Sequence, residues 1–302
     1  MEKADRRVED DRVRHALGID IGGTNTKVAR VSSEGHADVV SFPTGSDTAR
    51  LITQICELQK SLNLHHAECA GVAVAGFLSS ARDRLSYNPN LAWLEGFPLR
   101  DALADALGKS VLLEVDSNAA CMGEYRFGAG RGSKRFLCLA AGTGLGAGMI
   151  IEGALLRFSG ECIGDAGHVV VDPSGPDCPC GGRGCAEAMV SESAIVAAAK
   201  SAGTLRGVIE AAQLGDAGSI AALRQAGDYL GIAMASLAQI FMPDRVALAG
   251  GLAEAGQLVM QTAAISFRKR VNVEARREVA VVKAELGWQA TVIGAAAPLL
   301  IN

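Results

Sequence analysis

Residues 16–21 form an apolar run with one carboxylate, Asp20, inside it. The run bends at Gly22, Gly23 and Thr24, and apolar alternation resumes over 27–31 before a polar turn at 32–35. Period-two patterning on both sides of a glycine bend predicts a β-hairpin. Over 48–62, Leu51, Ile52, Ile55 and Leu58 recur at helical spacing, whereas CAGVAVAG over 69–76 predicts a buried strand ending in glycine. An extended loop follows around Asn88, Pro89 and Asn90, and then a helix that starts after Pro98 and stops at Gly108. Residues 110–115 predict a strand that delivers Asp116 to a helix running through Glu124.

Residues 135–151 repeat the first hairpin: a buried strand, Gly142, Thr143, Gly144 and Gly146 at the bend, then a second apolar strand. Two hairpins of one design point to a duplicated α/β unit with a phosphate-binding turn in each half. Helices are predicted over 191–201 and 220–241. A strand over 245–248 ends at Ala249, Gly250 and Gly251, and a strand over 279–284 and a small-residue helix over 291–300 close the chain.

The 302 residues suffice for two domains, and 49% apolar content with 36 glycines and 4% aromatics fits an Ala/Gly/Val-rich α/β protein. A net charge of -4 without a basic stripe argues against a nucleic-acid surface. Residues 1–15 are charged throughout, predicting a solvated, disordered leader rather than a signal peptide. The low-charge run over 229–243 is too short to span a bilayer and predicts a buried helix. A cytoplasmic protein without membrane association is expected.

Chemistry concentrates in 160–187, GECIGDAGHVVVDPSGPDCPCGGRGCAE, which is too rich in turn formers to be a packed element. His168, Cys178, Cys180 and Cys185 form a closed four-donor set suited to a structural Zn2+; scattered thiols and a disulfide are the competing readings. Cys56, Cys69, Cys121, Cys138 and Cys162 fall singly and predict small core residues of a reduced protein. Backbone N–H groups at Gly22 and Gly23, with Thr24 and Lys27 nearby, can bind phosphate, and Asp20 can hold Mg2+ through water; an ordinary hairpin turn fits the same residues. Asn amides beside Trp93 suit sugar hydroxyls, although Asn-Pro-Asn is also a common turn. Asp116 reads either as a helix N-cap or as a carboxylate facing a crevice at a strand end.

DIGGT (20–24), Asn90-Leu91 with Trp93, Asp116 with Glu124, GTGLGAG (142–148), GDAGH (164–168), CPCGGRGCAE (178–187) and AGG (249–251) together resemble the ROK-family sugar kinases of the glucokinase and N-acetylmannosamine kinase type. The resemblance implies a two-domain actin-like, ribonuclease-H-like ATPase fold with ATP and sugar in the interdomain cleft. Expected boundaries are 16–118 plus 289–302 for the smaller domain and 119–288 for the larger, with the zinc loop at 160–187. It implies an ATP-dependent kinase acting on the 6-hydroxyl of a hexose or amino-hexose, with Asp116 as base. Asn90, Asp116, Asp165, His168 and Glu187 would line the sugar, with Gly22, Gly23, Thr24, Thr143 and Gly144 on the phosphates and Gly250 and Gly251 against the nucleoside. Homo-oligomers, dimers foremost, are implied. A sugar-binding or sugar-sensing protein with weak or no kinase activity is the alternative, and polyphosphate is an alternative donor. Val115 stands where the family has Asn, and Asp165 where it has Glu.

Overall fold

The computed structural model describes residues 13–64, 67, 69–158, 165–200, 203–272 and 279–300. Most of the expected leader lies outside the described residues, as do 159–164 with Cys162. The chain divides into two units: Met1–Phe127 with Arg157–Cys162 and Gln289–Asn302, and Gly128–Leu156 with Ile163–Trp288.

In the first unit β1 (His15–Ile21) and β2 (Asn25–Ser32) make the expected hairpin, with Asp20 directly opposite Lys27. β3 (Ala37–Pro43) then continues the sheet. The hydrophobic pattern does not predict it, because its residues are half-buried or exposed and lack one continuous apolar face. Helix α1 (Thr48–Ser61) begins at Asp47, whose carboxylate accepts from the Arg50 N–H at 3.0 Å, and it buries Leu51 and Ile55. β4 (Cys69–Val74) runs parallel to β1, and a short pair, β5 (Phe77–Leu78) and β6 (Leu85–Tyr87), follows. Helix α2 (Leu99–Leu107) starts after Pro98 and is stopped by Gly108 at φ 63°, as predicted. β7 (Ser110–Val115) lies parallel to β4 and leads directly into α3 (Asp116–Phe127).

The second unit repeats this plan. β8 (Arg135–Ala141), β9 (Leu145–Ile151), β10 (Ala154–Leu155), β11 (Arg245–Ala249) and β12 (Ala280–Lys283) form a sheet of order β10-β9-β8-β11-β12, against β3-β2-β1-β4-β7 in the first unit. Each sheet pairs its first three strands antiparallel and the remaining two in parallel, as a duplicated unit requires. Gly146 sits inside β9 opposite Ala140, so the bend is made by residues 142–144 alone. Helices α4 (Ala186–Val190), α5 (Glu192–Ala199), α6 (Leu205–Gln213), α7 (Ala217–Phe241) and α8 (Gln257–Arg270) complete the unit. Neither α6 nor α8 is predicted above, although Leu205, Val208, Ile209 and Ala212 do recur at helical spacing along α6. α8 buries only Val259, Ala263, Ser266 and Phe267, a stripe too narrow and mixed to stand out. Among the described residues no helix is long and apolar enough to cross a membrane.

The expected boundary at 118/119 moves to Phe127/Gly128, so α3 belongs wholly to the first unit. The cause is α9 (Ala290–Ala296), which returns to that unit and packs backbone against backbone. A Cβ on Gly294 would lie 1.6 Å from the Ala119 carbonyl oxygen, and one on Gly71 would lie 1.8 Å from that of Ala295. The Ala295 carbonyl has no flexible atom to withdraw, so Gly71→Ala is expected to cost about 3 kcal/mol. Urea unfolding checks this; an unchanged midpoint would contradict the close packing.

Candidate active site

In the first unit, the β1–β2 turn is tied down from one side, leaving Gly23 and Thr24 exposed. The Gly22 N–H donates to the Asn25 carbonyl at 3.1 Å, the Thr44 hydroxyl donates to the Gly22 carbonyl at 2.7 Å, and the Thr44 N–H donates to the Thr24 carbonyl at 3.0 Å. Asn90 stands beside this turn: a Cβ on Gly23 would come within 2.9 Å of its Cβ. Asn88 orients the loop, its side-chain oxygen accepting from the Asn90 N–H at 2.8 Å. Thus two stretches far apart in sequence, DIGGT and Asn-Pro-Asn, meet in one unit.

Asp116 is the first residue of α3, and its Oδ1 accepts from the Ser117 N–H at 2.7 Å. Burial first, and then the negative charge of Asp20, push its carboxyl up to about 6; the Ser117 N–H, its own backbone N–H and Lys27 oppose the rise. Such a carboxylate is ionised at neutral pH yet basic enough to take a proton. Lys27 pairs with Asp20 at 2.8 Å, as their cross-strand register dictates, so its ammonium is engaged at Asp20. Val115 is buried in the apolar core of the unit.

One residue missed in the sequence lies just upstream. Glu114 Oε1 accepts from the Val115 N–H at 3.0 Å and from the Asn118 amide at 2.9 Å, while Oε2 accepts from Arg82 at 3.2 Å and from Arg157. The available signal was a charged residue near the end of SVLLEV, a strand otherwise composed mainly of apolar residues.

In the second unit the matching turn is pinned by Glu187, in the first turn of α4: its Oε2 accepts from the Leu145 N–H at 2.8 Å. A Cβ on Gly144 would lie 2.5 Å from that same oxygen, so a larger residue there would push the Glu187 carboxylate away from the turn. Thr143 and Glu187 share a depression of about 330 Å³ with Asp177, Ser191 and Ser193. Gly250 has φ 84° at the end of β11, and a Cβ there would strike the Ala141 carbonyl at 2.3 Å. Gly251 lies beside Leu205.

The four predicted metal donors come together, each within 4.8 Å of the others. His168 Nδ1 lies 3.5 Å from Cys178 Sγ, and Cys180 Sγ lies 3.7 Å from Cys185 Sγ. Ligands at ~2.3 Å around a tetrahedral ion stand ~3.8 Å apart, so these separations fit Zn2+ and are too long for a disulfide. Burial and the neighbouring thiols push Cys185 up to about 12, a cost that a divalent cation would reverse. His168 Nε2 is held by Asp165 at 3.2 Å, the carboxylate–histidine arrangement that orients a metal ligand. His168, Asp165 and Glu187 therefore all lie in or beside this loop.

Comparison with known proteins bears on the family and the fold. The ROK family profile matches residues 16–300. The glucokinase of Streptomyces coelicolor is 31% identical over 93% of this chain and 96% of its own length. The glucokinase of Thermotoga maritima is 32% identical over 80% of this chain and 84% of its own. The crystal structure of a ROK family glucokinase from Streptomyces griseus in complex with glucose and AMPPNP superposes with a TM-score of 0.82 at 32% identity, covering 95% of this chain and 99% of that one.

Proposed function

The chain belongs to the ROK family and has its two-domain actin-like ATPase fold, and from that membership we propose that it is a sugar kinase transferring the γ-phosphoryl group of ATP to the 6-hydroxyl of a hexose or amino-hexose. The observation that carries the reading is Asp116: a partly buried carboxylate at a strand-to-helix junction, raised to about 6, in the unit where the DIGGT turn meets Asn90. Ionised Asp116 takes the hydroxyl proton as the oxygen attacks phosphorus, general-base assistance worth roughly 10²- to 10⁴-fold. Phosphoryl transfer otherwise demands positioning and charge neutralisation. Gly23 and Thr24 in one unit, and Thr143 and Gly144 in the other, offer N–H and hydroxyl donors to phosphate oxygens; Gly22, whose N–H is spent on the Asn25 carbonyl, shapes the turn, and Gly250 and Gly251 lie against the nucleoside. Asp20, paired with Lys27 in the structure, would hold Mg2+ through water, and the ion would supply charge neutralisation on the phosphates.

On this reading Asn90 and Asp116 face the sugar from the first unit, and Asp165, His168 and Glu187 are the sugar residues of the second. A zinc ion held by His168, Cys178, Cys180 and Cys185 fixes the imidazole and takes no part in the chemistry. Val115 offers no hydrogen bond where the family's Asn would, so the preferred sugar is one that loses nothing when that ring position goes unread. The protein is placed in the cytoplasm, as a homo-oligomer, with ATP preferred over polyphosphate as donor.

The test is a coupled ADP-release assay with Mg-ATP over glucose, mannose, fructose, N-acetylglucosamine, N-acetylmannosamine, glucosamine and 3-amino-3-deoxyglucose. One sugar turned over far faster than the rest is the expected result. Silence across the panel from folded protein would overturn the kinase reading in favour of sugar binding alone.

A further inference from the structure

Asp116 sits where β7 runs directly into α3, two residues after Glu114. Glu114 is an acidic side chain on the more open face of a strand buried at alternate positions, yet it is only 14% exposed and both of its oxygens are occupied. Oε1 bridges the Val115 N–H at 3.0 Å and the amide of Asn118 at 2.9 Å, groups that lie on either side of Asp116 in sequence. Asn118 is fully buried in the first turn of α3, so this bridge fixes how the strand turns into the helix. Oε2 in turn is clamped by two guanidiniums: Arg82 at 3.2 Å, from the turn between β5 and β6, and Arg157, from the segment after β10. A carboxylate needs only one cation for charge balance. The second guanidinium adds geometric restraint, because planar donor forks approaching one oxygen from separate parts of the chain leave it little freedom.

We propose that Glu114 is a positioning residue for Asp116: its carboxylate, clamped by Arg82 and Arg157, staples the junction from which the base projects. This rests on the kinase reading with Asp116 as base. Aligned transfer tolerates little error, and a displacement of about 1 Å costs on the order of 10²-fold in rate. Glu114 is not itself among the residues that face the sugar or the phosphates, so loosening it is expected to act on turnover, which depends on the alignment of Asp116, far more than on sugar affinity.

The experiment compares wild type and Glu114→Gln as full-length proteins, at a temperature well below both unfolding midpoints. Gln retains an acceptor for Val115 and Asn118 but removes the charge that holds the two arginines. The expected result is kcat lower by roughly 10- to 100-fold, with the sugar Kd from calorimetry changed less than twofold. Arg157→Met, which leaves Glu114 and Arg82 in place, is expected to show a smaller loss of the same kind and carries the test if the Gln variant does not fold. Unchanged kcat in folded Glu114→Gln, or kcat and sugar Kd worsening in equal proportion, would overturn the proposal. The underlying reading is judged separately: turnover by wild type and its absence in Asp116→Asn uphold the kinase assignment whatever Glu114→Gln does.

Discussion

Asp116→Asn is expected to abolish turnover, by at least 10² to 10⁴, while sugar affinity changes little. The amide preserves the shape of the carboxylate and its acceptor for the Ser117 N–H, but it cannot take a proton. Wild-type kcat should rise with pH up to about 6 and then level off, following ionisation of this group. The same residue has a stability signature. Its folded-state value of about 6 stands above the unfolded 3.8, so the fold favours the protonated form. Relative to the ionised unfolded chain, the native state is therefore penalised above pH 6, by about 3 kcal/mol. That penalty fades as pH falls through 6 and is gone below 3.8. Asp116→Asn should accordingly be inert yet more stable than wild type at pH 8, with no advantage at pH 3.5. Denaturant titrations at the two pH values, beside kcat measurements, check both halves. A variant that retains kcat would remove Asp116 from the role of base.

Cys185→Ser is expected to release the zinc and damage the second unit more than the loss of one buried sulfur would. Cys185 is 2% exposed, directly precedes α4, and so connects the donor cluster to the helix carrying Glu187. Without the ion, His168 loses its anchor on the Nδ1 side, and Asp165 and Glu187 lose their fixed relation to it. Metal analysis should show about one zinc per wild-type chain and none in the variant. The unfolding midpoint should drop by about 10 °C, at roughly 2–4 °C per kcal/mol, and the sugar KM should rise at least tenfold. Wild-type protein that is free of zinc yet fully stable and active would refute a structural metal.

What could be read in the sequence was whatever had a local cause. Pro98 and Gly108 bracket α2 because the restraint of each acts at its own position. The four metal donors are visible because most lie within one loop and their spacing is fixed by coordination chemistry. Both glycine bends are visible because a hairpin needs them where they stand. What stayed hidden depends on partners distant in sequence. Lys27 reads as a phosphate ligand until the hairpin register sets it opposite Asp20. Glu114 reads as a stray charge until Arg82 and Arg157 are brought to it. The edge strand β3 and the narrow-faced α8 bury too little of one side to show a period, and the boundary at Phe127 is set by a helix at the other end of the chain.

That last dependence bears on biosynthesis. The trough that receives α9 is lined by Gly71, Ala119 and Gly123, all made long before Ala290–Ala296 leave the ribosome. During translation that glycine-lined face has no α9 to cover it until the whole second unit has been synthesised. Though encoded first, the unit gains its last packed layer, Ala295 against Ala73 and Ala119, only when the end of the chain arrives.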